Sequence, residues 1–430
     1  MVMGFPTINS CDELSAWMRD HSLHGSSIDP TIFDQVNAIK DQVQSDGDAG
    51  LCALTQKFDH VALSSDGIQL TPDTIKSAYQ MVSSKVVTAL KNAAQNIHEY
   101  HLNQVPKDWE SASDQRVYGV QYRPLDAVGL YVPGGRAAYP SSVLMTAIPA
   151  VIAGCSRIAM VSPPTGGQIP PSVLVAADIA GVTDIYQVGG AQAVFALAYG
   201  TDTVHAVDKI VGPGNRFVTA AKQMVYGVVD IDKPAGPSEV CVYVDSMRHA
   251  PSAASEMWAQ LEHDPDASAI CIAASKEIAL AVNDHAERQL PHLKRQSILS
   301  ESKANGVIVV VASSAEAINA INECASEHLV LLVDDALDWR RNIRHAGSIF
   351  CGPYTPVTLG DYYAGPNHVL PTARSARFAS PLGVMDFMKY SSYLSYSKDA
   401  LMAAAVDVDA LTAEEGFDAH NQALNVRLSL

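Results

Sequence analysis

From Asp126 onward, short apolar runs alternate with helix-length segments, and most runs end in a glycine- or proline-rich turn. Residues 127–132 lead into Pro133-Gly134-Gly135, and Arg157–Val161 lead into Ser162-Pro163-Pro164. Residues 184–188 lead into Gly189-Gly190, and Lys209–Val211 into Gly212-Pro213-Gly214-Asn215. Runs this short and apolar read as strands. Residues 141–153, 171–179 and 216–226 read as the helices between them. The alternation predicts a parallel sheet with helices on both faces. Ligands of such sheets bind beyond the carboxyl ends of the strands, and the glycine turns fall at those ends.

A second alternation starts at Glu239, with strands expected at Glu239–Val244, Ser268–Ala273, 306–311 and 328–333. It predicts a second, similar α/β domain, although no fixed repeat period links the two. The first 120 residues read as mainly helical, with 83–100 the clearest segment, and 109–123 as a hairpin. The tail from Asp386 reads as helical, best over 410–427, and as a segment that docks on a partner subunit.

A chain of 430 residues is long enough for two or more domains. Its 48% hydrophobic and 17% charged content fits a globular protein with a large core. The formal net charge of −17 repels nucleic acid and anionic membranes. The longest apolar stretch, 143–155, is interrupted by Thr146, Pro149 and Gly154 and is too short for a bilayer. The first ten residues carry no signal-peptide pattern. Seven cysteines, an odd number with no Cys-x-x-Cys pair, predict buried reduced thiols in the cytoplasm. Cys324 is a candidate nucleophile close to Glu327 and His328, or simply a small packed apolar residue.

Four short stretches concentrate reactive side chains. Gln260 and His263 share a face at the end of a predicted helix, spaced so that amide and imidazole can reach one metal. Most such pairs are solvated helix ends. Residues 360–368, GDYYAGPNH, put Asp361, Asn367 and His368 in a turn-rich segment, which is either a site or a turn held by Asx side chains. Glu327-His328 stand at the mouth of a predicted strand, where acid and imidazole can move protons. His420 lies in the tail with Glu414 and Glu415 before it. No clean G-x-G-x-x-G is present. The turns at Gly189 and Gly212 nonetheless open helices whose N–H groups can hold phosphate.

Together these stretches resemble the histidinol dehydrogenase family. The resemblance runs from about Val128 to Arg427. It is carried by VGLYVPGGRAAYPSSVLMTAIPA, YQVGGAQAVFALAYGT, DKIVGPGNRFVTAAKQ, VDIDKPAGPSEV, QLEHDPDAS, SEHL, AGSIF, GDYYAGPNHVLPT, SPLGVMDF and GFDAH, in that order. It implies two doubly wound, incomplete Rossmann-like domains with a helical N-terminal region and a small helical tail domain. The expected division is an arm over 1–25, a first α/β domain over 26–127 plus 239–382, an NAD-binding α/β domain over 128–238, and a docking tail over 383–430.

The resemblance also implies one zinc ion held by Gln260, His263, Asp361 and His420, the last from the other subunit of a homodimer. Glu327 and His328 would be the acid–base pair. Ser238, His328, His368 and Glu415, together with the metal ligands, would contact substrate. Tyr131, Gln192 and Asn215 match positions that contact NAD. The implied reaction takes L-histidinol through L-histidinaldehyde to L-histidine, at the end of histidine biosynthesis. Ser326 stands where the family usually has Pro before the Glu-His pair. Alternatives on the same residues are oxidation of another polar alcohol, such as a sulfonated diol, a metal-dependent hydrolase, and a non-enzymatic metal-binding protein.

Overall fold

The computed structural model describes residues 4–21, 30–135, 138–234 and 236–429. Two all-parallel sheets organise it. In the five-stranded sheet the order is Asp184–Tyr186, Arg157–Val161, Ala127–Tyr131, Lys209–Val211, Asp230–Ile231. In the six-stranded sheet it is Thr7–Ile8, Gly306–Val310, Ser268–Ala273, Glu239–Val244, His328–Leu332, Ser348–Cys351. Numbered within its own unit, each sheet runs third, second, first, fourth, fifth. The second sheet only adds Thr7–Ile8 at one edge. The expected pair of similar α/β units is therefore present.

The central strands EVCVYV and SAICIA are buried at every position. That is the pattern of strands covered on both faces. In the six-stranded unit, Val240, Val242 and Val244 pack with the helices Ala250–Leu261 and Lys276–Gln289. Cys241 and Tyr243 face the helices Cys11–Asp20 and Ser314–Cys324. Side chains thus alternate between two cores, as strand geometry requires. Cys241, Cys271 and Cys324 are buried, and all seven cysteines are free thiols.

The N-terminal helices depart from the expected division. Pro30–Asp59 packs on the helices Gly190–Tyr199 and Arg216–Val225, within one core of the five-stranded unit. Pro72–Met81 and Ser84–Leu102 pack on Pro171–Ala180 and Pro140–Ala153, within the other. Residues 30–102 therefore cover the sheet of 127–231, not that of 239–351. The physical reason lies in the helices beneath them. Ala191 to Ala198 and Ser142 to Ala150 are buried without a break. A helix apolar all round needs a second layer outside it. The expected arm also belongs to the six-stranded unit, through its edge strand Thr7–Ile8 and the buried Leu14 and Met18. Its residues 1–3 and 22–25 lie outside the described residues, as do Arg136, Ala137 and Ala235 of the resembling blocks.

The tail is not wholly helical as expected. Met388–Tyr396 is a strand, paired antiparallel with Arg116–Pro124 over nine residue pairs. Trp109–Ala112 completes this three-stranded sheet and forms the expected hairpin with Arg116–Pro124. Tyr390, Tyr393 and Tyr396 suit a pleated surface better than a helix. Helices Lys398–Glu414 and Asp418–Leu428 follow and pack on each other. Gly416, at φ +72°, breaks the continuous helix expected over 410–427. Among the described residues no helix is long and apolar enough to cross a membrane.

Candidate active site

Helix Ser314–Cys324 ends on Ala325, a non-glycine residue at φ +46°. The Ser326 hydroxyl donates to the His328 carbonyl at 3.0 Å, which closes the turn. Gly347 N–H donates to the Ser326 carbonyl and Ser348 N–H to that of Glu327, both at 2.9 Å. A Cβ on Gly347 would stand 2.5 Å from the Glu327 carbonyl oxygen, so this close approach requires glycine. The turn delivers Glu327 and His328, both buried, to the start of the strand His328–Leu332.

Parallel pairing sets His328 opposite Val240, next to Glu239. The Glu239 N–H donates to Glu327 Oε2 at 2.9 Å. The Glu239 carbonyl lies 3.1 Å from His328 Nδ1. A carbonyl only accepts, so Nδ1 carries a proton. His328 Nε2 is buried without a hydrogen-bond partner and lies 3.5 Å from Asp361 Oδ1. Burial opposes charge on His328, but Glu327 and Asp361 outweigh it and raise its pKa. Burial raises that of Glu327, against the pull of His328. The pair sits at the amino ends of its strands, opposite to the general expectation for such sheets.

Asp361 is in the last turn of a short helix, Val357–Tyr362, where a turn-rich segment was expected. Burial opposes its charge, but His328, His368 and His263 hold its carboxyl below the usual range. His368 Nδ1 is 2.8 Å from the Asp361 carbonyl, and its Nε2 is 3.4 Å from the Ser142 hydroxyl. Asn367 Nδ2 donates to the Met145 carbonyl at 2.6 Å. This loop therefore spans from the six-stranded unit to the five-stranded one. His368 has both ring nitrogens engaged by protein, a positioning contact that its expected role toward substrate did not include.

Gln260 lies in the last turn of Ala250–Leu261, buried, with Nε2 unpaired. His263 follows the helix end, its N–H donating to the Gln260 carbonyl at 3.2 Å. It is exposed at the rim, and partial desolvation lowers its pKa against the charge of Asp361. Glu256, one turn before Gln260, accepts from Val357 N–H at 3.3 Å and ties this helix to the one bearing Asp361. Neither Glu239 nor Glu256 stands out in the sequence. The only signal for Glu256 is its i−4 spacing from Gln260 on one helix face. Ser238 is half-buried beside Glu239, and its carbonyl accepts from Ser268 N–H at 3.0 Å.

The tail residues are not part of this group. Glu415 caps the helix Lys398–Glu414, and His420 is exposed on the next helix beside Phe417. Among the described residues no three His, Cys, Asp or Glu side chains converge as a metal shell. Within one subunit His263 and Asp361 lie close enough to shift each other's titration, and Gln260 lies one turn before His263. An amide oxygen, an imidazole and a carboxylate are the donor types that zinc takes.

Tyr131, Gln192 and Asn215 line a single cavity of about 700 Å³. It lies beyond the carboxyl ends of Ala127–Tyr131 and Lys209–Val211, where the strand order reverses. The Tyr131 hydroxyl accepts from Gly190 N–H at 3.1 Å, and burial pushes its pKa up to about 12. Asn215 Oδ1 caps the next helix, accepting from Phe217 and Val218 N–H at 3.0 and 3.1 Å. Gln192 Nε2 is buried and unpaired. A Cβ on Gly212 would collide with the Tyr131 carbonyl, so the backbone of this loop is packed as closely as glycine permits. Cavity size, its place at the switch point and an orphaned amide fit a dinucleotide.

Comparison with known proteins places this geometry in a family. A model of histidinol dehydrogenase matches residues 24–428. The chain is similar to histidinol dehydrogenase of Oceanobacillus iheyensis, at 45% identity over 96% of this chain and 97% of that one. It is also similar to that of Clostridium acetobutylicum, at 48% identity over 92% of each. The crystal structure of histidinol dehydrogenase from Elizabethkingia anophelis superposes with a TM-score of 0.93, at 33% identity over 99% of this chain and 98% of that one. The chain belongs to the histidinol dehydrogenase family of oxidoreductases.

Proposed function

We propose that the protein oxidises L-histidinol through L-histidinaldehyde to L-histidine, consuming two NAD⁺ and one water. The observation that carries this reading is the buried Glu327–His328 pair, with His328 Nε2 unpaired beside Asp361. His328 in its neutral form takes the alcohol proton at Nε2 as the carbinol carbon gives up hydride. Against its burial, Glu327 and Asp361 raise its pKa to about 9 and stabilise the imidazolium that forms. Glu327 then takes a proton from the water that attacks the aldehyde, and the hydrate gives up a second hydride. General acid–base help of this kind is worth ~10²–10⁴-fold in rate. The Glu239 backbone keeps both side chains in place between the steps.

Gln260, His263 and Asp361, completed by His420 of the partner subunit, are the residues that would hold zinc. Bound there, it would supply a Lewis acid that orients the substrate. Tyr131, Gln192 and Asn215 would hold the dinucleotide that accepts hydride. Ser238 and His368, with Glu415 of the partner subunit, are the proposed further contacts to substrate. The homodimer is supported by the tail, where Met402, Val406 and Leu411 are exposed on one chain. Such apolar exposure marks an interaction surface.

The test is direct. Zinc content is measured on the purified protein, and NADH is followed with L-histidinol before and after chelation. Two NADH per histidinol, lost on chelation and restored by zinc, are expected. An untouched histidinol with turnover of another alcohol would assign a different substrate. Hydrolysis without dinucleotide binding would overturn the oxidoreductase mechanism.

A further inference from the structure

The cavity that holds Tyr131, Gln192 and Asn215 has a fourth polar wall, supplied from far away in sequence. Helix Pro30–Asp59, kinked at Gly47, ends there, and Leu54, Lys57 and Asp59 line the space. His60, at φ +57°, then turns the chain away. Asp59 Oδ2 is buried and has no hydrogen-bond partner. Gln192 Nε2, in the same cavity, is also buried and unpaired. Buried polar groups are nearly always satisfied. A donor and an acceptor orphaned in one cavity call for a ligand that offers both.

Asp59 is poorly served by its own surroundings. It occupies the last turn of a helix, where the dipole disfavours a negative charge. Burial raises its pKa, and only the nearby His60 opposes that. A carboxylate only accepts hydrogen bonds, so its natural ligand is a donor. Ribose hydroxyls are donors, and a dinucleotide carries two pairs of them. We propose that Asp59 receives the hydroxyls of the adenosine ribose and makes the pocket select the dinucleotide that lacks a 2′-phosphate. This rests on the dinucleotide reading given above. A phosphate at the 2′ position would bring negative charge against a desolvated carboxylate, where repulsion is weakly screened. Lys57, exposed at the rim, is the one cation among the described lining residues.

Calorimetric titration of wild type, D59N and D59E with NAD⁺ and with NADP⁺, without substrate, tests the assignment. Wild type is expected to prefer NAD⁺. D59N should lower the NAD⁺/NADP⁺ affinity ratio by about tenfold or more, the worth of a charge-assisted hydrogen bond. D59E keeps the charge and should keep the preference. Melting temperatures check that both variants fold, and D59S replaces D59N if that variant does not. An unchanged ratio in D59N, or an equal loss for both dinucleotides, overturns the role of Asp59 while the cofactor reading stands. Binding of neither dinucleotide by wild type removes the cofactor reading and this assignment with it.

Discussion

Glu239 donates its backbone N–H to Glu327 Oε2 at 2.9 Å across neighbouring parallel strands. Its side chain accepts from Ala373 N–H at 2.8 Å and is also held by the backbone of Glu327 and Arg374. Ala373 and Arg374 are both at positive φ, so this loop needs outside support. Burial, reinforced by Glu327, pushes the Glu239 carboxyl up to about 8. It is therefore largely neutral at pH 7. Glu239→Gln should be nearly silent there, because an amide oxygen still accepts from Ala373. Glu239→Ala should cost about 2 kcal/mol or more, from the orphaned N–H and the space left. Denaturant unfolding at pH 7 checks both. Equal losses in the two variants would refute the argument.

His328→Asn should slow oxidation of histidinol by ~10²-fold or more while zinc stays bound. Glu327→Gln should still form the aldehyde and should fail at the step that uses water. Single-turnover measurement started from histidinol and from histidinaldehyde separates the two. Near wild-type rates from both substrates in either variant would remove the assigned role.

The contrast between these residues shows what the sequence could reveal. Strands Arg157–Val161, Lys209–Val211, Glu239–Val244 and Ser268–Ala273 match their expected bounds, because buried apolar runs bounded by turn residues are local signals. The role of Glu239 was not legible. It arises from a strand register joining residues 88 and 89 positions apart, and EVCVYV reads only as a strand. The family pattern pointed to Glu327 and His328 but not to what holds them. The strand Met388–Tyr396 was missed because its pairing with Arg116–Pro124 is more remote still. The N-terminal helices were assigned to the wrong sheet for a related reason. Their apolar faces say that they pack, and not on what.

Lys222 Nζ donates to the Gly212 carbonyl at 2.9 Å and pairs with Asp232, whose other oxygen accepts from Gly212 N–H at 2.8 Å. The two side chains are 3% and 2% exposed. They clamp the glycine loop that leads to Asn215. Lys222→Met should cost about 3–5 kcal/mol, since it strands a buried carboxylate. Adding Asp232→Asn should recover part of that loss. The double-mutant cycle by denaturant unfolding checks it, and additive losses would count against a coupled pair.

If His420 serves the partner's site, two inactive variants should complement each other. In a hybrid of H328N and H420N subunits one site has both groups intact and the other has neither. Random mixing makes about half the dimers hybrid, so about a quarter of wild-type activity should return. Refolding the variants together and separately, then assaying, is the measurement. No recovery on mixing, with hybrid dimers demonstrated, would mean that each site is built from one chain.

His101 is fully buried, with Nδ1 2.8 Å from the Ile97 carbonyl and Nε2 3.4 Å from Asn367 Nδ2. Burial lowers its pKa, against smaller opposing contributions from the Ile97 and Leu382 backbone. Below about pH 6.5 the unfolded imidazole binds a proton that the folded one refuses. The unfolded state then holds more protons, so stability falls as pH drops, by at most ~1.4 kcal/mol per unit until the folded group also titrates. His101→Gln removes this dependence and keeps a polar group beside Asn367. The stability difference between wild type and the variant should therefore shrink from pH 7 to pH 5, in wild type's disfavour. Unfolding free energies at several pH values measure it, and a difference that stays constant over that range would show that His101 is protonated alike in both states.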